Sequence, residues 1–287
     1  MQELPRLGDI VTQTTAVLAP LLGGEARREA ETVVLTALGL GRSALFSTPE
    51  RPLTATETAR VADWATRRAD GVPLAYLSGE REFWSLPLRV GPAVLVPRPE
   101  TETLVAQALI KGDAWCRSTA TPASTLDLGT GSGAIALAIA VERPDWPVTA
   151  VELSPAALAV ARENALRLEV GRLEFLAGDW FAPLGTRRFA VVVSNPPYVA
   201  ADDPVLHGDS LRHEPRTALT PGVDALADLH ALIDAAPDHL LPGGWLLLEH
   251  GADQAAAVRE RLAARGYADI VSHRDPAGHE RVTEGRR

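Results

Sequence analysis

Cysteine, methionine and lysine are nearly missing from this chain of 287 residues, in which Cys116, Met1 and Lys111 are the sole examples. A lone thiol forms no intramolecular disulfide and no thiolate cluster, so covalent staples and zinc-held folds are excluded. The longest charge-free runs, Val11 to Gly24 and Leu128 to Val141, contain Gly and Thr. They fall short of the roughly 18 apolar residues that a membrane span needs, so no membrane partner is expected. The opening Met1-Gln2-Glu3-Leu4-Pro5 has neither a basic leader nor a hydrophobic signal core, and a cytoplasmic location is expected. Basic residues are the minority, 28 against 37 acidic, for a formal charge of −9. That balance opposes clasping a phosphate backbone, so no direct nucleic-acid partner is expected, although a local basic groove stays open. The single lysine sits apart from every glycine-rich turn, which excludes a Walker nucleotide loop.

What remains is ordinary globular material, 46% hydrophobic and 23% charged, long enough for one large domain or two unequal ones. Residues 1–73 read as helical: Ile10, Val11, Val17, Leu18 and Leu21, then Ala30, Val33, Val34, Ala37 and Leu38, recur at helical spacing. Thr54-Ala55-Thr56-Glu57 is a capping-box signature for a helix that turns Val61 and Trp64 inward and ends at Gly71. This stretch reads as a recognition module. Residues 74–97 carry β-prone residues punctuated by Gly79, Pro87, Gly91 and Pro92, the texture of a β-hairpin linker. From 98 to 287, apolar runs at 125–128, 148–153, 173–177, 189–194 and 245–249 alternate with helical ones. Alternation of that kind predicts a doubly wound α/β domain with a mostly parallel sheet.

Two places in that domain carry chemistry. Thr125 to Leu128 runs into Gly129-Thr130-Gly131-Ser132-Gly133 and then an Ala/Ile-rich helix. Glycines let backbone amides at a helix N-terminus approach a ligand closely, so this βα turn is a nucleotide seat or, on the blander reading, a tight structural turn. The next strand ends at Glu152, where a carboxylate can accept both hydroxyls of a ribose; capping the helix near Ser154 is the other use of that acid. The turn lacks dinucleotide G-x-G-x-x-G spacing, which disfavours pyrophosphate.

The second place is Ser194-Asn195-Pro196-Pro197-Tyr198, which leaves the apolar run 189–193 at its carboxyl end. Two prolines stiffen the loop and remove two N–H donors while their carbonyls stay available as acceptors. Asn195 adds a side-chain carbonyl and Tyr198 an aromatic face. Together they suit a planar NH2 group, whose hydrogens Asn195 and Pro196 would accept while Tyr198 stacks on its plane. A proline-stiffened turn without chemistry is the alternative.

The glycine turn and the acid after the second strand resemble the class I S-adenosylmethionine-dependent methyltransferases. The resemblance implies a Rossmann-like, seven-stranded sheet preceded by a small all-α domain. It also implies S-adenosylmethionine as cofactor, S-adenosylhomocysteine as product, and Gly129, Thr130, Gly131, Ser132, Gly133, Glu152 and Asn195 as cofactor-binding residues. Trp180, in Gly178-Asp179-Trp180-Phe181, would flank the adenine; a core tryptophan is the other reading. Asn-Pro-Pro-Tyr is shared by glutamine-amide and adenine-amine methyltransferases. Leu95 to Glu102, Arg212-His213-Glu214-Pro215, Leu246 to Gly251 and the ending Arg274 to Thr283 look like the peptide chain release factor glutamine methyltransferases, almost along the whole chain.

That family implies methylation of the N5 amide nitrogen of the glutamine in a release factor's Gly-Gly-Gln motif. Release factors would be the protein partner, with Asn195, Pro196 and Tyr198 catalytic and Asn195 to Tyr198 holding the substrate. Ribosomal-protein glutamine and the adenine amine of DNA or RNA are the alternative acceptors. Against the last stand 18 basic and 26 acidic residues from Arg98 onward. The seven histidines form no H-E-x-x-H pair and no metal is expected. Asp202, Asp203 and Glu214 read either as acids that orient the target loop or as loop charges that meet water, outside catalysis in both cases, and Cys116 as a small packed or loop residue.

Overall fold

The computed structural model describes residues 4–208 and 211–287, so Met1 to Glu3 of the opening segment lie outside it. The chain divides into two compact units, Met1–Gly79 with His207–His213, and Glu80–Leu206 with Glu214–Arg287.

The first unit is helical, with α1 (Leu7–Leu22), α2 (Ala26–Leu38), α3 (Ala44–Ser47), α4 (Ala55–Ala69) and α5 (Leu74–Ser78). On α1 the buried stripe is Leu7, Ile10, Val11, Thr14 and Leu18, an i, i+3, i+4, i+7 pattern. Val17, expected inside, lies off that stripe and is exposed. The capping box forms as expected: Glu57 N donates to Thr54 Oγ1 at 3.2 Å, and Thr54 N donates to Glu57 Oε2 at 2.9 Å. Val61 is buried, Trp64 is half-buried, and α4 stops at Ala69 just before Gly71, whose φ is +83°. At the carbonyl end of α4, Arg212 and His213 both bond to the Asp70 carbonyl, His213 Nε2 at 2.8 Å, where basic groups complement the helix dipole. Residues 74–78, expected as part of the hairpin linker, instead form α5, which Pro73 starts and Gly79 ends with φ +76°.

The second unit begins with the hairpin of β1 (Glu80–Phe83) and β2 (Leu86–Arg89). Its turn residues Trp84 and Ser85 both have positive φ, +51° and +60°, the geometry that follows the twist of a two-residue hairpin. Then come α6 (Glu102–Thr119), β3 (Thr125–Leu128), α7 (Ala134–Glu142), β4 (Val148–Glu152), α8 (Pro155–Arg167), β5 (Leu173–Ala177) and β6 (Phe189–Ser194). The chain closes with α9 (Ala227–His239), β7 (Leu240–Glu249), α10 (Ala255–Ala264), β8 (Ala268–Arg274) and β9 (Glu280–Arg286). Seven strands make one sheet in the order β5-β4-β3-β6-β7-β9-β8, parallel except for β9, which runs antiparallel to both its neighbours.

β3 and β6 are buried at every residue, as strands covered on both faces must be. One apolar cluster packs α6 and α7 on one face and takes in Phe83 and Leu88 of the hairpin; the other packs α9 and α10. Cys116 is half-buried on α6 against the first cluster. Among the described residues no helix is long and apolar enough to cross a membrane.

One buried amide ties the hairpin to the sheet. Asn164 of α8, fully buried, accepts from Arg89 N at 2.7 Å and donates to the Arg89 carbonyl at 3.0 Å and the Ser132 carbonyl at 2.9 Å. Leaving buried donors and acceptors unpaired costs about 1–3 kcal/mol each. Asn164→Ala is therefore expected to lower unfolding free energy by about 2–4 kcal/mol in urea titration. Thr54→Ala, which opens the capping box, should cost about 1 kcal/mol by the same measurement.

Candidate active site

Parallel pairing sets four strand ends level. Leu128 of β3 pairs with Val151 of β4 on one side and Ser194 of β6 on the other, and Ser194 pairs with Leu248 of β7. The residues that follow are Glu152, Gly129, Asn195 and Glu249, one row across the carboxyl end of the sheet. Neighbouring strands lie about 4.8 Å apart, so Asn195 is one strand from the glycine turn and two from Glu152. Ser194, fully buried, donates Oγ–H to the Leu128 carbonyl at 2.8 Å and locks that register where the two strands part. Between β3 and β6 the strand order reverses, the place where open α/β sheets bind ligands.

The glycine turn is built for close approach. Gly129 has φ +72°, and a Cβ there would come within 3.2 Å of the Trp180 ring; at Gly133, φ +86°, it would come within 2.9 Å of Leu137 Cδ1. A Cβ at Gly131 would meet nothing within 4 Å. The turn therefore has a packed floor and an open face. Thr130 and Ser132 are buried within it. Asp127 holds it from below: its Oδ2 accepts from Thr130 Oγ1 at 2.6 Å and from Ala136 N at 3.2 Å. Burial pushes this carboxyl up to about 7 against the pull of those two bonds, and the charge of Glu152 adds to the rise. Asp127 Oδ1 is buried without a partner among the described residues. Asp127 was not among the expected site residues; its signal in the sequence is an acid inside an apolar strand, two residues before a glycine turn.

Glu152 is half-buried, and its oxygens accept from Gly131 N and Ser154 N, both at 2.8 Å. Capping of α8 falls to Ser154, whose Oγ accepts from Ala157 N at 3.3 Å, and not to Glu152. Each Glu152 oxygen keeps a second lone pair, so the carboxylate can still accept two hydroxyls. Trp180 has φ +42°, uncommon for a bulky residue. Its half-buried ring packs against the Phe181–Leu184 cluster and lies over Gly129. An open glycine turn, an acceptor carboxylate and a flat side chain here could hold a nucleoside cofactor.

Across the strand gap, Asn195 Nδ2 donates to Thr101 Oγ1 at 3.3 Å. Among the described residues no donor meets Asn195 Oδ1 or the Pro196 carbonyl, so two acceptors stand free at the loop that the sequence singled out. Pro196 is buried, while Pro197 and Tyr198 are half-buried. Tyr198 is held at both ends: its carbonyl accepts from Gln254 Nε2 at 2.9 Å, and its hydroxyl lies 3.5 Å from Glu249 Oε1. Burial, reinforced by the Glu249 charge, raises the Tyr198 hydroxyl pKa well above the ordinary phenol range.

Glu249 and Thr101 lie in segments quoted for the resemblance, but neither was expected beside Asn195 or Tyr198, because they come from distant parts of the chain. Glu214, expected as a loop acid that orients the target or meets water, is instead buried; its Oε2 accepts from Val96 N at 2.9 Å and its Oε1 pairs with Arg98. Fixing the 91–98 segment satisfies that carboxylate, which water would otherwise have to solvate. His250 is likewise buried, with Nε2 at 2.7 Å from Thr283 Oγ1, and His239 stacks on Phe181 at 4.6 Å.

Residues 116–222 match the family model described as methyltransferase small domain, and residues 9–79 match the PrmC N-terminal domain. The release factor glutamine methyltransferases of Salmonella typhimurium and Pseudomonas aeruginosa are each 48% identical, over 91% of this chain and 92% of theirs. That of Escherichia coli is 45% identical over the same shares. Among solved structures, a methyltransferase from Pyrococcus furiosus has a TM-score of 0.52 at 20% identity, over 70% of this chain and 88% of that one. A human methyltransferase 10 domain containing protein has a TM-score of 0.53 at 14% identity, over 71% and 90%. These two likenesses speak to the fold alone. Identity near one half along 91% of its length, together with both family models, means that this chain belongs to the release factor glutamine methyltransferase family.

Proposed function

We propose that this chain transfers the methyl group of S-adenosylmethionine to the N5 amide nitrogen of the glutamine in the Gly-Gly-Gln motif of peptide chain release factors. S-adenosylhomocysteine is the second product. The observation that carries the reading is the pair of free acceptors, Asn195 Oδ1 and the Pro196 carbonyl, one strand from the glycine turn.

An amide nitrogen is a poor nucleophile because its lone pair is delocalised into the carbonyl. Asn195 Oδ1 and the Pro196 carbonyl offset this by accepting the two N–H bonds, which favours charge on nitrogen and aims the lone pair away from the loop. The prolines keep both acceptors in place before substrate arrives, and pre-set geometry removes much of the entropy of alignment. Tyr198, anchored by its hydroxyl and carbonyl, lays the exposed part of its ring along the planar substrate. When bound, S-adenosylmethionine would supply an electrophilic methyl carbon on a sulfonium centre. Gly129 to Gly133 would hold its amino acid part, Glu152 its ribose hydroxyls and Trp180 its adenine, as the open turn, spare lone pairs and covering ring suit. Nitrogen gains the methyl as the carbon–sulfur bond breaks, and the amide proton leaves to a neighbouring acceptor or water.

Residues 1–73 serve, in this reading, as the release factor recognition module, joined through 74–97 to the catalytic 98–287. The acidic balance of the catalytic part, 18 basic against 26 acidic residues from Arg98 onward, disfavours polyanions as the acceptor.

Incubation with a release factor and labelled cofactor should add one methyl, which fragment mass spectrometry assigns to the Gly-Gly-Gln glutamine; naked DNA should stay unlabelled. Preferential DNA labelling reverses the assignment. Asn195→Ala should cut kcat/KM by about 100-fold or more while the fold persists by circular dichroism. Glu152→Ala should raise the cofactor Kd about 10- to 100-fold in calorimetry, since hydrogen bonds to a charged acceptor contribute about 1.5–3 kcal/mol. Unchanged affinity would remove Glu152 from the cofactor site.

A further inference from the structure

We infer that Gln254 is a positioning residue for Tyr198: its side-chain amide holds the Tyr198 carbonyl, and through it the plane of the ring, against a fixed turn between β7 and α10. This rests on the reading of Tyr198 as the ring that lies along the planar substrate.

The Asn-Pro-Pro-Tyr loop needs such a tie. Pro196 and Pro197 stiffen it but bring no N–H with which to bond to the rest of the domain. Tyr198 itself has two links. Its hydroxyl lies 3.5 Å from Glu249 Oε1, long for an O–H···O bond, while its carbonyl accepts from Gln254 Nε2 at 2.9 Å. The shorter link acts on the backbone, where it sets the direction in which the side chain leaves. Just beyond, Val199 N donates to the Leu219 carbonyl at 3.0 Å and Ala201 N to the Gly222 carbonyl at 2.8 Å. The loop is therefore gripped from two sides, by Gln254 at Tyr198 and by the 219–222 segment after it.

A tie is as firm as its far end. Gln254 N donates to the Gly251 carbonyl at 3.0 Å, and Gln254 Oε1 accepts from Gly251 N at 2.8 Å. Fully buried His250 fixes this turn to the sheet: its N donates to the Arg281 carbonyl at 3.0 Å, and its Nε2 lies 2.7 Å from Thr283 Oγ1. Gln254 is also the N-cap of α10, a place that favours Ser, Thr, Asp and Asn, yet its side chain makes no capping bond there. The side chain serves the loop instead. Gly251 N can only donate and the Tyr198 carbonyl can only accept, so the group between them must offer an acceptor and a donor in one rigid plane. A carboxylate supplies the first and not the second, and asparagine is one methylene shorter. Gly251 completes the fit, because a Cβ there would stand 3.1 Å from Gln254 Cδ and Oε1.

The test uses the full-length enzyme with a release factor and S-adenosylmethionine at about pH 8, where a carboxyl introduced at 254 is ionised. Gln254→Glu keeps the bond from Gly251 N and sets a negative acceptor against the Tyr198 carbonyl. Its kcat should fall about tenfold, with KM for release factor and the calorimetric cofactor Kd each changing less than about twofold. In a Tyr198→Ala background the same substitution should cost less than about twofold, because the ring that it places is gone. The chain has three tyrosines, so fluorotyrosine labelling gives a 19F spectrum in which Tyr198 is the resonance missing from Tyr198→Phe. That resonance should move in Gln254→Glu while those of Tyr76 and Tyr267 stay in place. Gly251→Ala, which crowds the Gln254 amide without removing it, should move the same resonance and lower kcat about threefold.

An unmoved Tyr198 resonance in Gln254→Glu overturns the inference, as does a loss carried by KM alone or one equally large in the Tyr198→Ala background. If Gln254→Glu does not fold, Gly251→Ala decides by the same resonance. Tyr198→Ala with wild-type kcat/KM removes the stacking reading itself, whereas an impaired Tyr198→Ala beside an unaffected Gln254→Glu overturns the role of Gln254 alone.

Discussion

The register of three parallel strand pairs is the constraint on which the candidate site depends. Because Val151, Leu128, Ser194 and Leu248 lie level, Glu152, Gly129, Asn195 and Glu249 emerge in one line without any long loop having to find its place. A slip of one residue on β6 would turn Asn195 to the other face of the sheet and bury a proline edge where the acceptors stand. Complete burial of β3 and β6, with the Ser194-to-Leu128 hydrogen bond at 2.8 Å at their parting point, makes such a slip costly. Packing energy spent in the core is thus converted into placement at the rim.

Beneath that line lies a second layer of buried polar groups, each serving a backbone segment above it. Asp127 holds the glycine turn, Glu214 holds the 91–98 segment, and Asn164 ties the hairpin to the Ser132 carbonyl. Buried carboxyls are expensive unless paired, and, like Glu284, the two that burial raises to about 7, Asp127 and Glu249, each keep one oxygen without a hydrogen-bond partner among the described residues. A chain selected for stability alone would replace them with apolar residues. Their position under the glycine turn and under the Asn-Pro-Pro-Tyr loop accounts for their presence in the sheet.

Local strings were legible in the sequence, and long-range pairs were not. Gly129 to Gly133, Glu152 and Asn195 to Tyr198 each follow a run apolar enough to be a buried strand, so their place at strand ends could be read directly. The capping box at Thr54 was equally plain. Glu249 was quoted only as part of a familiar-looking segment, because its proximity to Asn195 is set by strand order, which no local pattern encodes. Thr101 lies 94 residues from the asparagine it bonds. Glu214 was misjudged because a charge among polar neighbours gives no hint that a backbone amide will cover it. The early start of β7 at Leu240 was hidden by Pro242-Gly243-Gly244, which interrupts the apolar run. The last two strands, β9 and the edge strand β8, alternate polar and apolar residues too irregularly, with a register shift in their pairing, to stand out.

The central claim is that a rigid loop grips a planar NH2 through two acceptors that the free protein already holds in place. A crystal structure of the enzyme with S-adenosylhomocysteine and a Gly-Gly-Gln peptide tests it most directly. The glutamine nitrogen is expected within hydrogen-bonding distance of both Asn195 Oδ1 and the Pro196 carbonyl, about 3 Å from each, facing the cofactor sulfur. An amide bound elsewhere, with Asn195 turned away and the Pro196 carbonyl solvated, would contradict it.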